Sequence, residues 1–174
     1  MARKQTISTP LYNDPALISK FFYYDETSHT FIRHVSNHKP AGTKINTGYM
    51  HVRCDHGAER AKHYLIHRLV WIMHNGSIPD GVYIDHINGN RSDNRISNLR
   101  LATHQQNIGN SRRKEPASGL INFKVITKPN GKQYMYAMVQ GESVRVHSMD
   151  EAKKVIKKLR IKHFGEFAYL DDLN

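Results

Sequence analysis

The stretch Ile84-Asp85-His86-Ile87-Asn88-Gly89-Asn90 decides the fold predicted for this chain. An aspartate and a histidine are neighbours at the end of a short apolar run, and a loop rich in Gly, Asn and Asp follows them. A second strand-like run begins at Asn98, twelve residues after His86, and Asn107 follows nine residues later near the start of a helix. This order predicts a β-hairpin that carries polar side chains and leads into a helix.

Outside this stretch, strand-like and helix-like patterns alternate, which predicts a mixed α and β structure. Residues 1–20 are polar, contain two prolines and are predicted to form an irregular lead-in. A short amphipathic helix is predicted over 67–74, and the capping-box pattern Thr103-x-x-Gln106 predicts a helix that begins at Thr103. Strands are predicted at residues 21–24, 30–33, 49–53, 64–66 and 82–84.

The C-terminal third has its own pattern of three strands and one helix. Strand-like runs occupy 120–127, 133–139 and 143–147. Ser148-x-x-Glu151 is a second capping box, and the helix that it opens has one apolar face made of Ala152, Val155, Ile156 and Leu159. We therefore predict an α+β chain with a first domain at 1–112, a basic linker at 113–118 and a second domain at 119–174.

The composition favours a nucleic-acid partner. The chain has 26 Lys and Arg residues against 15 Asp and Glu, a formal net charge of +11. Basic side chains neutralise phosphates and release counterions, so an excess of this size suits DNA or RNA. Cys54 is the only cysteine, which excludes an internal disulfide framework and a cysteine-based zinc cluster. No apolar run approaches the roughly 20 residues of a membrane span, and no signal-peptide core is present, so we expect a cytoplasmic protein without a membrane partner.

The Asp85-His86 pair, Asn98 and Asn107 together resemble the signature of the phage-type HNH endonucleases. The resemblance implies a ββα-metal core, most specific over 67–110, that hydrolyses phosphodiester bonds with one divalent cation. It also implies that Asp85 and Asn107 are metal ligands, that His86 is the general base and that Asn98 supports the loop. Because both ligands would bind the metal through oxygen atoms, they favour Mg²⁺, or alternatively Mn²⁺, over Zn²⁺.

Three neighbouring residues allow other interpretations. His104 precedes Asn107 by three residues, so both lie on a similar helix face, and colicin-type relatives use a histidine on this helix. His104 is therefore an alternative ligand or a DNA contact. His67 is interpreted as a packing residue or a phosphate contact, and Asn94 as a turn or left-handed residue of the loop.

The C-terminal strands and helix resemble the AP2-type DNA-binding domain, although Met135 stands where that family usually has tryptophan. The resemblance implies a three-stranded sheet that reads double-stranded DNA in the major groove; a structural or dimerisation module is the alternative. Candidate contacts lie on or beside the strands: Lys124, Lys132, Gln133, Tyr136 and Arg145. The basic run Arg112-Arg113-Lys114 is a further candidate contact, to the DNA backbone.

The two resemblances imply a site-specific, homing-type DNA endonuclease of phage origin. One alternative is a DNA-binding protein or regulator that has lost cleavage, and another is an HNH nuclease of low specificity. A complete set of Asp85, His86, Asn98 and Asn107 argues against the first, and a separate reading domain argues against the second. No protein partner is evident from the sequence, and either a monomer or a dimer is compatible with it.

Overall fold

The computed structural model describes residues 14–33, 40–54, 62–110 and 120–173. The chain divides into two compact units, Met1–Ala102 and Thr103–Asn174. Both units contain helices and antiparallel strands, which confirms the predicted α+β class. The predicted linker, 113–118, lies outside the described residues, and the predicted domain boundaries stay a prediction.

The first unit begins with helix α1 (Pro15–Phe21), where the sequence predicts an irregular lead-in. That prediction was wrong for these seven residues. Asp14 caps the helix by accepting a 2.9 Å hydrogen bond from the Ala16 amide, and proline occupies the first helical position, which suits its fixed φ. Ile18 anchors the helix in the core of the unit.

Three sheets and one further helix complete the first unit. Strands β1 (Phe22–Asp25) and β2 (Thr30–Arg33) form an antiparallel hairpin, as predicted. The second sheet has the order β3-β4-β5, and the third is a hairpin of β6 and β7. The remaining bounds are β3 Thr43–Lys44, β4 Met50–Cys54, β5 Lys62–Leu65, α2 Ile66–Asn75, β6 Tyr83–His86 and β7 Leu99–Ala102.

Helix α2 lies at the centre of this unit, and its position matches the predicted amphipathic segment. Its apolar face buries Leu69, Val70 and Ile72 against Phe22 and Val52 of the neighbouring strands. Fully burying a side chain of this size contributes roughly 1.5–3 kcal/mol. The helix ends at Gly76, whose φ of 79° favours glycine. The same helix also contacts β6 of the β6–β7 hairpin.

The β6–β7 hairpin is antiparallel, and its register pairs Asp85 with Arg100 and His86 with Leu99. The second strand begins at Leu99 and not at Asn98 as predicted. Asn98 ends a 3₁₀ turn (Ile96–Asn98), because its amide donates to the Arg95 carbonyl at 2.8 Å. The loop therefore ends in a single 3₁₀ turn immediately before Leu99.

The second unit consists of α3 (His104–Gly109), a three-stranded antiparallel sheet and α4 (Met149–Phe164). The complete capping box predicted at Thr103 is confirmed. Central strand β9 (Gln133–Val139) pairs with β8 (Phe123–Thr127) and with β10 (Glu142–Val146). Helix α4 packs on one face of this sheet through a core made of Leu120, Ala137, Val146, Ala152 and Ile156. The other face of the sheet carries polar and aromatic side chains.

Across the described ranges of both units, no helix has the length and apolarity needed to span a membrane.

Candidate active site

Asp85 and His86 are the last two residues of β6, and both are buried. Asp85 is only 5% exposed, and its carboxylate accepts a 2.9 Å hydrogen bond from Arg100 Nε. Arg100 is the residue directly opposite on β7. The hairpin register therefore forms a charge-assisted pair that holds the Asp85 carboxylate in one orientation.

His86 is 3% exposed, and its ring is oriented by the loop that follows. Nε2 lies 3.1 Å from Asn94 Oδ1. An amide oxygen only accepts, so Nε2 carries the proton, and the lone pair of the neutral ring is on Nδ1. Burial lowers the pKa of His86 below its usual value, while the Asn94 hydrogen bond and the Asp85 and Asp93 carboxylates oppose that shift. The ring is thus kept in the neutral form that can accept a proton.

Asn98 braces the loop between the two strands. Its Oδ1 accepts from the Asn88 amide at 3.0 Å, and its Nδ2 donates to Asn88 Oδ1 at 3.0 Å and to the Asp93 carbonyl at 2.8 Å. Asp93 is itself bound by Arg95, which lowers the pKa of its carboxyl to about 2. These hydrogen bonds brace the loop, and the role of Asn98 as a supporting residue of the catalytic site stays a prediction.

Two aromatic rings surround the His86 imidazole. The His67 ring lies edge-on to it at 5.0 Å between centroids, and the Tyr49 ring lies at 5.9 Å. His67 and Tyr49 also contact each other at 5.1 Å. His67 belongs to the first turn of α2 and is 4% exposed. It therefore packs inside the unit, which is one of the two roles predicted for it.

Burial of His67 predicts that acid destabilises the first unit. Desolvation, together with the nearby His86 and Arg68, lowers the pKa of His67 well below 6.5. Below about pH 6.5 the unfolded chain then binds a proton that the folded chain does not, so the free energy of unfolding falls as the pH falls. Thermal unfolding followed from about pH 8 down to about pH 5 should show this decline, and His67→Phe should reduce its slope. A melting temperature that rises towards acid in the wild type would contradict this account.

The remaining residues of the predicted metal and DNA sites belong to other parts of the chain. His104 and Asn107 both lie on α3 of the second unit, where Asn107 is half-buried and His104 is exposed. Their roles as ligand and alternative ligand stay predictions. Arg112, Arg113 and Lys114 lie outside the described residues.

Three of the predicted DNA contacts form one row across the C-terminal sheet. Lys124 on β8 and Arg145 on β10 both pair with Tyr136 on β9, so the three side chains share a face. Lys132 immediately precedes β9. Gln133, the first residue of β9, alternates with Tyr136 and belongs to the face that buries Ala137.

The structure adds site residues that the sequence did not indicate. The pairing of Arg100 with Asp85 could be predicted from the hairpin register only if the first residue of β7 were known. Asn94 does not have the left-handed φ that was one of its interpretations, and its side chain lies within hydrogen-bond distance of His86. Tyr49 is distant in sequence from the motif, and only the packing of β4 near α2 brings its ring to His86.

The chain is similar in sequence to several known proteins. A family model described as HNH endonuclease matches residues 64–108. An uncharacterized HNH endonuclease of Acanthamoeba polyphaga mimivirus is 32% identical over 108 residues, which cover 59% of this chain and 54% of that protein. The chain therefore spans about half the length of this relative. Protein 3.8 of Escherichia phage T7 is 33% identical over 106 residues, which cover 59% of this chain and 86% of the phage protein.

A Bacillus subtilis protein described as an SPbeta prophage-derived putative HNH homing endonuclease, YosQ, is 36% identical over 70 residues, or 40% of each chain. The solved structure of the HNH homing endonuclease I-HmuI, described as showing DNA binding and cleavage, aligns with a TM-score of 0.46 at 22% identity and covers 68% of this chain and 72% of that one. The family model matches residues 64–108, and the match to the T7 protein covers 86% of that protein. The chain therefore belongs to the HNH endonuclease family.

Proposed function

We propose that this protein is a metal-dependent DNA endonuclease in which His86 is the general base. The proposal is supported by the position of the buried His86 ring, whose Nε2 lies 3.1 Å from Asn94 Oδ1. An amide oxygen accepts, so Nε2 donates and the lone pair is on Nδ1, and burial lowers the pKa of the ring. A neutral imidazole can take a proton from a water molecule as that water attacks phosphorus, a role worth roughly 10²–10⁴-fold in rate.

We propose that a divalent cation binds at the Asp85 carboxylate, which Arg100 already orients. The HNH resemblance implies that the side-chain oxygen of Asn107 is a second ligand. Mg²⁺ commonly takes one or two protein oxygens and completes its shell with water and phosphate, and Mn²⁺ accepts similar ligands. When bound, the cation would neutralise charge on the phosphate and its leaving oxygen. The Arg100 charge beside Asp85 would weaken cation binding before the phosphate arrives.

The second unit supplies a candidate surface for reading DNA. The row of Lys124, Tyr136 and Arg145 lies on the sheet face opposite the one that α4 covers. The Arg145 guanidinium also lies over the Tyr134 ring, 4.5 Å from its centroid, which limits its conformational freedom. An arginine whose conformation is restricted in this way can form two hydrogen bonds with guanine, whereas lysine mainly contacts phosphate. We propose that this face recognises the target as an AP2-like domain and gives the enzyme homing-type specificity in a bacterial host's cytoplasm.

This proposal predicts different effects for two members of the row. Arg145→Ala should cost about 1–3 kcal/mol of affinity for the target and should relax its sequence preference. Lys124→Ala should weaken binding to all duplexes about equally and should reduce the salt dependence of binding. Fluorescence anisotropy with target and scrambled duplexes at several salt concentrations measures both effects.

Lys154→Ala is the matched control, because Lys154 is an exposed residue of α4 and belongs to the opposite side of the sheet. Equal losses in all three variants would mean that general charge, and not this face, determines binding.

Cleavage of genomic DNA tests the proposed function. The purified protein is incubated with genomic DNA of a phage and of its host in Mg²⁺, in Mn²⁺ or in EDTA, and the ends are mapped by sequencing. Discrete, metal-dependent ends that carry 5′-phosphate and 3′-hydroxyl groups are expected. A smear would instead indicate a nuclease of low specificity. Salt-sensitive binding without any cleavage would indicate a DNA-binding protein.

A further inference from the structure

The ring contacts around His86 come from three separate elements of the first unit. Tyr49 lies just before β4, His67 lies in the first turn of α2, and His86 ends β6. The three centroid separations are 5.0, 5.1 and 5.9 Å, so each ring contacts the other two. The T-shaped His67–His86 pair, with planes 64° apart, has a geometry that aromatic rings favour.

Burying the polar ring of His67 costs more stability than burying an apolar ring. It is 4% exposed, and among the described residues its Nδ1 is one of two buried side-chain atoms that have no hydrogen-bond partner. Leaving a buried polar atom unsatisfied costs roughly 1–3 kcal/mol, whereas an apolar ring would fill the space without that cost. The adjacent core residues Leu69 and Val70 are apolar. The described contacts of His67 are therefore made by its ring and not by a hydrogen bond of Nδ1.

The loop that carries the His86 partner is tied to the turn that carries Tyr49. Arg91 lies over the Tyr49 ring at 4.8 Å and donates from Nη1 to the Thr47 carbonyl at 2.9 Å. Ser92 Oγ donates to the Gly48 carbonyl at 3.0 Å. These contacts fix the Tyr49 ring relative to the same loop that places Asn94 against His86.

We propose that His67 and Tyr49 are positioning residues that set the plane of the His86 ring. The proposal rests on the proposed role of His86 as general base. The hydrogen bond from Nε2 to Asn94 fixes one end of the imidazole but does not by itself fix the plane of the ring. Contacts with two neighbouring rings restrict that plane, so that Nδ1 keeps one direction towards the attacking water. Misplacing a reacting group by about 1 Å can cost about 10²-fold in rate.

Two pairs of variants test the proposal by distinguishing the effect of the ring from the effect of its polar atoms. His67→Ala and Tyr49→Leu remove a ring, whereas His67→Phe and Tyr49→Phe retain one. Single-turnover cleavage of plasmid DNA gives the maximal rate and the protein concentration at half-saturation. Ring removal should lower the maximal rate by about 10–100-fold and leave half-saturation unchanged, and ring retention should restore most of the rate.

Nuclear magnetic resonance of the His86 ring nitrogens provides a readout that does not depend on cleavage. The wild type and the Phe variants should show one tautomer protonated at Nε2, and the Ala and Leu variants should show a mixture. If both Phe variants lose as much activity as the ring-removing variants, polar contacts of His67 and Tyr49 with the substrate are responsible and the positioning proposal is wrong. Unchanged rates and unchanged His86 signals in His67→Ala and Tyr49→Leu would also overturn it.

Melting temperatures identify any variant that fails to fold, and half-buried Tyr49 provides the second pair should the buried His67 position not accept phenylalanine. A wild-type protein that cleaves no DNA would contradict the proposed function, and the tautomer measurement would still decide whether the rings position His86.

Discussion

Replacing His86 with alanine is expected to reduce the rate of DNA cleavage by about 10²–10⁴-fold, because general base catalysis by a positioned side chain contributes that much. DNA affinity should change little, since the 3%-exposed ring makes its described contacts with Asn94, His67 and Tyr49 inside the protein. Single-turnover cleavage with excess protein measures the chemical step, and a gel-shift titration with the same duplex measures binding.

The matched control for this variant is His63→Ala. His63 is an exposed histidine of β5, and its described ring partner is His51 rather than His86. The control should cleave at the wild-type rate. Loss of cleavage and DNA binding together in His86→Ala, accompanied by a large fall in melting temperature, would show that His86 is structural.

Asp85→Asn should have the second largest effect, because it removes the charge proposed to bind the cation while keeping the shape of the side chain. We expect cleavage to fall by at least about 10²-fold at low Mg²⁺ and to recover in part as Mg²⁺ is raised. The variant should also be destabilised by about 1–3 kcal/mol, because the Arg100 guanidinium, 17% exposed, loses its ionic partner. A Mg²⁺ titration of the cleavage rate and a denaturant titration measure the two effects separately.

Asp80→Asn is the control for the loss of one negative charge, since Asp80 is an exposed turn residue of the same unit. It should leave the Mg²⁺ requirement unchanged. If Asp85→Asn cleaves DNA at the wild-type rate with the same Mg²⁺ requirement, Asp85 is a partner of Arg100 and not a metal ligand.

Local sequence signals predicted most of the secondary structure. The amphipathic period identified α2, the two capping boxes identified the starts of α3 and α4, and turn-forming residues separated the three C-terminal strands. These features depend on neighbours within about one helical turn or one hairpin, so a single sequence contains them. Helix α1 also had a local signal, the Asp14-Pro15 cap, which the general polarity of residues 1–20 obscured.

The partners of the site residues were harder to predict, because they depend on contacts between distant segments. The pairing of Asp85 with Arg100 follows from the strand register, and the 3₁₀ turn that ends at Asn98 shifts the start of β7 to Leu99. Tyr49 reaches His86 only because two sheets pack around α2. The motif therefore predicted Asp85 and His86 as candidate site residues, and the fold was needed to identify the side chains that contact them.

The most direct test of the account is cleavage of supercoiled plasmid by the wild type and by His86→Ala, each in Mg²⁺ and in EDTA. Nicked or linear product is expected only for the wild type in Mg²⁺, with both proteins still bound to the plasmid. Equal cleavage by both proteins, or cleavage that persists in EDTA, would contradict a metal-dependent mechanism in which His86 is the base.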